Sequence, residues 1–138
     1  MILTTSAILN ILIILFLLLI SGISKSITDI SSSPNLFYKS RLYLKYKLNP
    51  KFWEQGLGSL NKYKNANPLN GEKFIGSTTI FVVFTDAWHL FWFISEITMI
   101  LASVIITLNT SIWFVMLAFS IKLIFFEIVF NYLRKKIN

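Results

Sequence analysis

The chain has 138 residues, 55% hydrophobic and only 14% charged, with 13 Lys and Arg against 6 Asp and Glu for a formal charge of +7. At a mean hydropathy of +0.68 this is not the composition of a soluble domain with a covered core, and a bilayer core takes roughly 20 apolar residues per helical span. The length therefore admits a few spans and excludes a large soluble catalytic domain. Without cysteine there are no disulfides, thiolate nucleophiles or cysteine metal sites, and a lone His89 excludes a multi-histidine metal centre within one chain. The fold class expected is an all-α integral membrane protein with three transmembrane helices, holding no cofactor and no metal.

Residues 1–24 read as the first transmembrane helix. No charge occurs between positions 2 and 24, and 11–20 is an unbroken run of Ile, Leu and Phe, each favouring insertion by roughly 0.3–0.6 kcal/mol near the bilayer centre. Asn10 is the one strongly polar interruption. A cleaved signal peptide is the competing reading, since Gly22-Ile23-Ser24 supplies small residues, but no Lys or Arg precedes the apolar run.

Residues 25–73 form a basic, aromatic, turn-rich loop, expected on the cytoplasmic side. Ser24-Lys25-Ser26 and Ser31-Ser32-Ser33-Pro34 read as linkers. From 38 to 48 Lys39, Arg41, Lys45 and Lys47 fall on odd positions while Leu42, Leu44, Tyr46 and Leu48 fall on even ones, a period of two that favours an extended, one-faced segment over a helix. Asn49-Pro50 breaks that pattern, and Asn and Gly mark turns up to Lys73. Nine Lys and Arg stand here against Asp29, Glu54 and Glu72, and basic residues near spans stay cytoplasmic. Lys39, Arg41, Lys45, Lys47, Trp53, Lys62 and Tyr63 are the residues expected to dock anionic lipid or a partner protein. No nucleic-acid motif accompanies them, so nucleic acid is not an expected partner.

Residues 74–85, rich in β-branched side chains, are expected to lie at the interface or extend the next helix. Gly76-Ser77-Thr78-Thr79 lacks the lysine and second glycine of a phosphate loop. Residues 86–108 make a second span, with Thr85 or Asp86 as its cap. Residues 111–133 make a third, and the break at Asn109-Thr110-Ser111 makes these two a tight helical hairpin. Residues 134–138 form a basic tail on the same side as the loop.

Ionisable residues within spans cost roughly 2.5 kcal/mol or more at mid-bilayer, and so need a partner or water. They are Glu96, Lys122 and Glu127, with Asp86 and His89 nearer the loop end. At about 100° per residue Asp86, His89 and Glu96 share one helix face. In a hairpin turning near residues 109 and 110, positions summing to about 219 lie level. That sets Glu96 beside Lys122, Asp86 beside Arg134, and His89 beside Glu127 and Asn131. Such pairs would hold a hairpin in register; a proton or ion path is the functional alternative. A metal shared by Asp86, His89 and Glu127, or a lipid or haem pocket among Trp88, Phe91, Trp92 and Phe93, has thinner support in one imidazole and common interfacial rings.

The strings Asn49-Pro50-Lys51-Phe52-Trp53, Asn61-Lys62-Tyr63-Lys64, Gly71-Glu72-Lys73-Phe74, Gly76-Ser77-Thr78-Thr79 and Thr85-Asp86-Ala87-Trp88-His89 resemble uncharacterised small bacterial membrane proteins. The resemblance covers about residues 49–89 and implies no known activity. It implies that Trp53 and Asn61-Lys62-Tyr63 form one unit with Asp86 and His89.

The function expected is that of an accessory or structural membrane protein of the bacterial inner membrane, amino terminus outside and carboxyl terminus inside. Its partners would be anionic cytoplasmic lipid and a protein or further copies of itself. The alternatives are an ion path or a holin-like oligomeric pore, against which the 49-residue loop argues. An enzyme using Asp86 and His89 as an interfacial base lacks a nucleophile or cofactor motif.

Overall fold

A computed structural model describes residues 5–109 and 111–135. Those residues form helices joined by turns and short irregular stretches, with one isolated bridge between Tyr63 and Glu72 and no strand among them. Three long helices carry the architecture: α1 (Thr5–Ser31), α6 (Ala87–Asn109) and α7 (Trp113–Arg134). All three are long and apolar enough to cross a membrane. Four short helices lie between α1 and α6: α2 (Pro34–Lys39), α3 (Arg41–Tyr46), α4 (Pro50–Trp53) and α5 (Gln55–Gly58).

Helix α1 is the common partner of the other two long helices, which touch each other much less. Leu18, Met99, Ala102, Ile106 and Ala118 make the buried apolar core, flanked by Ile14, Leu17, Val115, Ile121 and Phe125. Outside it the helices present bare hydrocarbon: Leu12, Phe16, Leu123, Ile124 and Ile128 are each more than half exposed. In water such a surface would aggregate; in lipid it is the solvated side.

The loop-side half of α1 packs differently. Buried Ser21, Gly22, Ser24, Ser26 and Thr28 let backbones approach closely, as small residues do between helices in lipid. The Ser21 hydroxyl donates to the Ser95 carbonyl at 2.8 Å, and Ser26 donates to the Phe126 carbonyl at 3.0 Å. A Cβ at Gly22 would stand 2.9 Å from the Phe126 backbone nitrogen.

Three expectations are corrected. The linker expected at Ser24-Lys25-Ser26 is helix, because Ser26 and Thr28 return their hydroxyls to the carbonyls of Gly22 and Ser24 and spend their polarity inside α1; the helix runs to Ser31.

The extended segment expected over 38–48 is two helices instead. Pro34 opens α2 and Ser40 caps α3 by accepting from the Tyr43 N–H at 3.2 Å. Lys47, at φ 51°, then ends α3 in the left-handed region. Each helix is too short for period-two cations to conflict with burial: one side chain from each, Phe37 and Leu42, enters the interior.

Residues 74–85 do not extend α6 as an α-helix. They are turns, with Gly76 at φ 78° and a 3-10 turn at Val82–Phe84.

Candidate functional site

The loop closes over the start of α6. Asp86 is the N-cap: its Oδ1 accepts the His89 backbone N–H at 2.9 Å, and its carbonyl accepts from Leu90 N at 3.2 Å. The other carboxylate oxygen accepts from His89 Nδ1 at 2.7 Å and from the Thr85 hydroxyl at 3.1 Å. Asp86 is wholly buried and the His89 side chain is 21% exposed. A carboxylate only accepts, so Nδ1 is the nitrogen turned to Asp86 and Nε2 the one left free of it. Trp88 meets the His89 ring edge-on and stacks on Trp92.

Helices α4 and α5 form the lid of this unit. Asn49 caps α4 and Asn61 ties to it, its Nδ2 donating to the Lys51 carbonyl at 2.5 Å. The Trp53 ring lies 5.5 Å from that of Phe91 on α6. Glu54, 3% exposed, caps α5 by accepting from Gly56 N at 2.7 Å and Leu57 N at 3.0 Å. Gly58 is where the lid touches down, since a Cβ there would stand 2.8 Å from the Asp86 Cβ. The ionisable residues near the spans point to Asp86 and the resemblance over residues 49–89 joins Trp53 to it; Glu54 and Gly58 are not singled out by either, although an acid ahead of Gln55-Gly56-Leu57-Gly58 is a cap signal.

Residues 62–78 knit a second layer. The buried Ser77 hydroxyl donates to the Lys62 carbonyl at 2.7 Å and accepts from Lys73 N at 3.1 Å. Glu72 accepts from Gly76 N at 3.1 Å and also from the Thr78 hydroxyl. The Thr78 hydroxyl and then the Gly76 N–H hold its carboxyl below the ordinary value of 4.5. Gly76-Ser77-Thr78 thus cradles an anion belonging to the chain itself. Tyr63 faces Glu72 across the isolated bridge, with Lys62 Nζ 5.5 Å from its ring centroid.

The candidates within the long helices are arranged otherwise than level-matching predicts. No ion pair closes between Glu96 and Lys122 among the described residues. Asp86 bonds His89 of its own helix rather than Arg134. Arg134 donates to Asn131 Oδ1 at 3.1 Å and lies over the Phe130 ring. Glu127 accepts from Asn131 Nδ2 at 2.5 Å and is not a partner of His89. Asp86, Glu127 and Arg134 each find a neighbour three or four residues away on their own helix instead. Among the described residues no three His, Asp or Glu side chains gather closely enough to hold a metal.

The docking candidates divide by environment. Lys39 and Lys47 are exposed, with no acidic partner among the described residues. Lys45 lies over the Tyr46 ring at 5.2 Å, and the Arg41 guanidinium carbon is 4.8 Å from the centroid of Tyr132 on α7. No protein-family model, curated protein or solved structure matches this chain.

Proposed function

We propose that the chain is a three-span integral membrane protein with an accessory or structural role, docking anionic lipid or a partner protein through the basic face at its loop end. The observation that carries this reading is where the loop-end acids are spent. Asp29 pairs with Lys25, Glu54 caps α5, Glu72 is held by Gly76 and Thr78, and Asp86 is buried against His89. Lys39, Lys47, Lys51, Lys64 and Lys73 are left outward, without an acidic partner among the described residues.

A cation near an anionic membrane surface is worth about 1 kcal/mol, so several together make a strong surface term. At 1.5 Å per residue, α6 and α7 are each about 33–35 Å long, close to the thickness of a hydrocarbon core. Helix α1, at about 40 Å, outruns that core, and its surplus turns carry Lys25 and Asp29. In this reading α6 and α7 form a hairpin turning at the outer face of a bacterial inner membrane. The loop and carboxyl terminus are cytoplasmic, by the bias of basic residues.

The test is purification of the tagged chain in mild detergent, with mass spectrometry of co-purifying lipid and protein. Enrichment of anionic lipid that falls as salt rises, or a stoichiometric protein partner, is the expected result; neutral lipid and homo-oligomer alone contradict it.

A second reading, an ion path, is favoured by one observation. Glu96 lines a mostly apolar groove of about 410 Å³ that also holds Ser103 and Thr107, which leaves a charged side chain open to a cavity at mid-helix. Loss of ion flux in Glu96→Gln, measured in proteoliposomes, is its signature.

A further inference from the structure

We propose that Arg41 is the centre of a site for the phosphate of an anionic phospholipid headgroup, formed where α3 meets the end of α7. This rests on the membrane reading above and names the ligand of its basic face. Arg41 opens α3, and α3 packs on α7. Its guanidinium lies on the Tyr132 ring, 4.8 Å from the centroid, which fixes the plane of the donor fork. The Nε of Arg41 is buried and has no hydrogen-bond partner, and no carboxylate pairs with the side chain, both among the described residues.

With Nε covered, the part of the Arg41 side chain still open to the surroundings lies beyond it, and a guanidinium held against a ring with no acceptor of its own can take one there from outside the chain. Further cations lie on the same two elements. Lys45 lies one helical turn further along the same face of α3, exposed. Arg134 ends α7 and Lys135 follows it. The nearest acid on α7, Glu127, is occupied by Asn131.

A phosphate diester fits this arrangement, because two non-bridging oxygens match the guanidinium fork and ammonium groups add charge without demanding geometry. A lipid source is favoured by the surrounding rings. Tyr38 and Tyr43 meet edge-on with centroids 5.1 Å apart over the buried Phe37, and Tyr132 lies in the last turn of α7. Such rings belong at the water–bilayer boundary, where headgroups are.

The experiment counts lipid retained by the purified full chain in native mass spectrometry. Phosphatidylglycerol and phosphatidylcholine are supplied separately, with inorganic phosphate as competitor. One phosphatidylglycerol is expected to persist under activation that strips phosphatidylcholine. Occupancy should fall about tenfold in Arg41→Gln and less in Arg41→Lys, which keeps charge but loses the fork. Lys45→Gln, an exposed change that leaves the fold alone, should lower it about two- to threefold.

Equal retention of phosphatidylglycerol by wild type and all three variants overturns the site and leaves the wider docking reading standing. Equal retention of the two lipids by the wild type overturns the site and the lipid form of that reading together. Displacement of the lipid by millimolar phosphate overturns lipid as the source.

Discussion

Gly58 rests against Asp86, with room for a hydrogen where a Cβ would stand 2.8 Å from the Asp86 Cβ and 3.1 Å from the Phe52 carbonyl oxygen. Through this contact the loop is keyed to the first turn of α6. Gly58→Ala must therefore lift α5 from α6, at a cost of about 1–3 kcal/mol typical of overpacking. A lower thermal midpoint in detergent and faster proteolysis within residues 50–75 are the expected readouts. An unchanged midpoint would mean that the lid is not seated on Asp86.

Asp86 performs two tasks that substitution separates. Asp86→Ala removes the cap and the His89 partner together and should cost at least the ~1 kcal/mol of a lost cap. Asp86→Asn keeps an acceptor for the His89 N–H and should cost less. Hydrogen exchange at the first turn of α6 gives the ranking, with Ala fraying most; equal exchange in both variants would contradict the capping role.

Between α1 and α7 the close approach at Gly22 leaves no slack. A Cβ there meets Phe125 Cβ at 2.8 Å and the Phe126 backbone nitrogen at 2.9 Å, and helix backbone does not yield as a side-chain tip does. Gly22→Leu should separate the two helices, break the Ser26 to Phe126 bond, and destabilise by more than Gly22→Ala. Thermal unfolding in detergent measures both.

Glu72 supplies the pH dependence. Its carboxyl is held below 4.5 by the Thr78 hydroxyl and the Gly76 N–H. A depressed folded-state value means that the stabilisation is present above the unfolded value and lost as pH falls through the folded one. The turn over residues 72–78 should therefore stay closed at neutral pH, begin to weaken as pH falls below 4.5, and open as pH passes through the lower folded-state value. Faster exchange of the Gly76 and Thr78 amides in acid is expected, with Glu72→Gln already fast at neutral pH.

Legibility followed the physics of each segment. The long helices announce themselves, because apolar runs of spanning length have few other uses, and residues 86–108 and 111–133 lie within two residues of the observed bounds at each end. Thr110 and the end of the basic tail lie outside the described residues.

The end of α1 was not legible, since Ser and Thr favour loops by propensity, and their burial against Ser95 and Phe126 is a tertiary effect. Nor were α2 and α3. A six-residue helix buries about one side chain, so no period of 3.6 can show, and the alternation of Lys and Leu had no competitor. In the candidate site, Asp86 beside His89 follows from their spacing on a helix. The seat provided by Gly58 joins residues 28 positions apart and has no local signature.

The measurement that tests the account most directly is labelling of single cysteines in intact cells, in a chain that has none of its own. Lys45→Cys and Asn109→Cys stand on exposed residues at opposite ends of the helices. With a membrane-impermeant maleimide, the account predicts labelling of position 109 before lysis and of position 45 only after it. Labelling of position 45 in intact cells would turn the basic face away from the anionic cytoplasmic lipid and contradict the docking role.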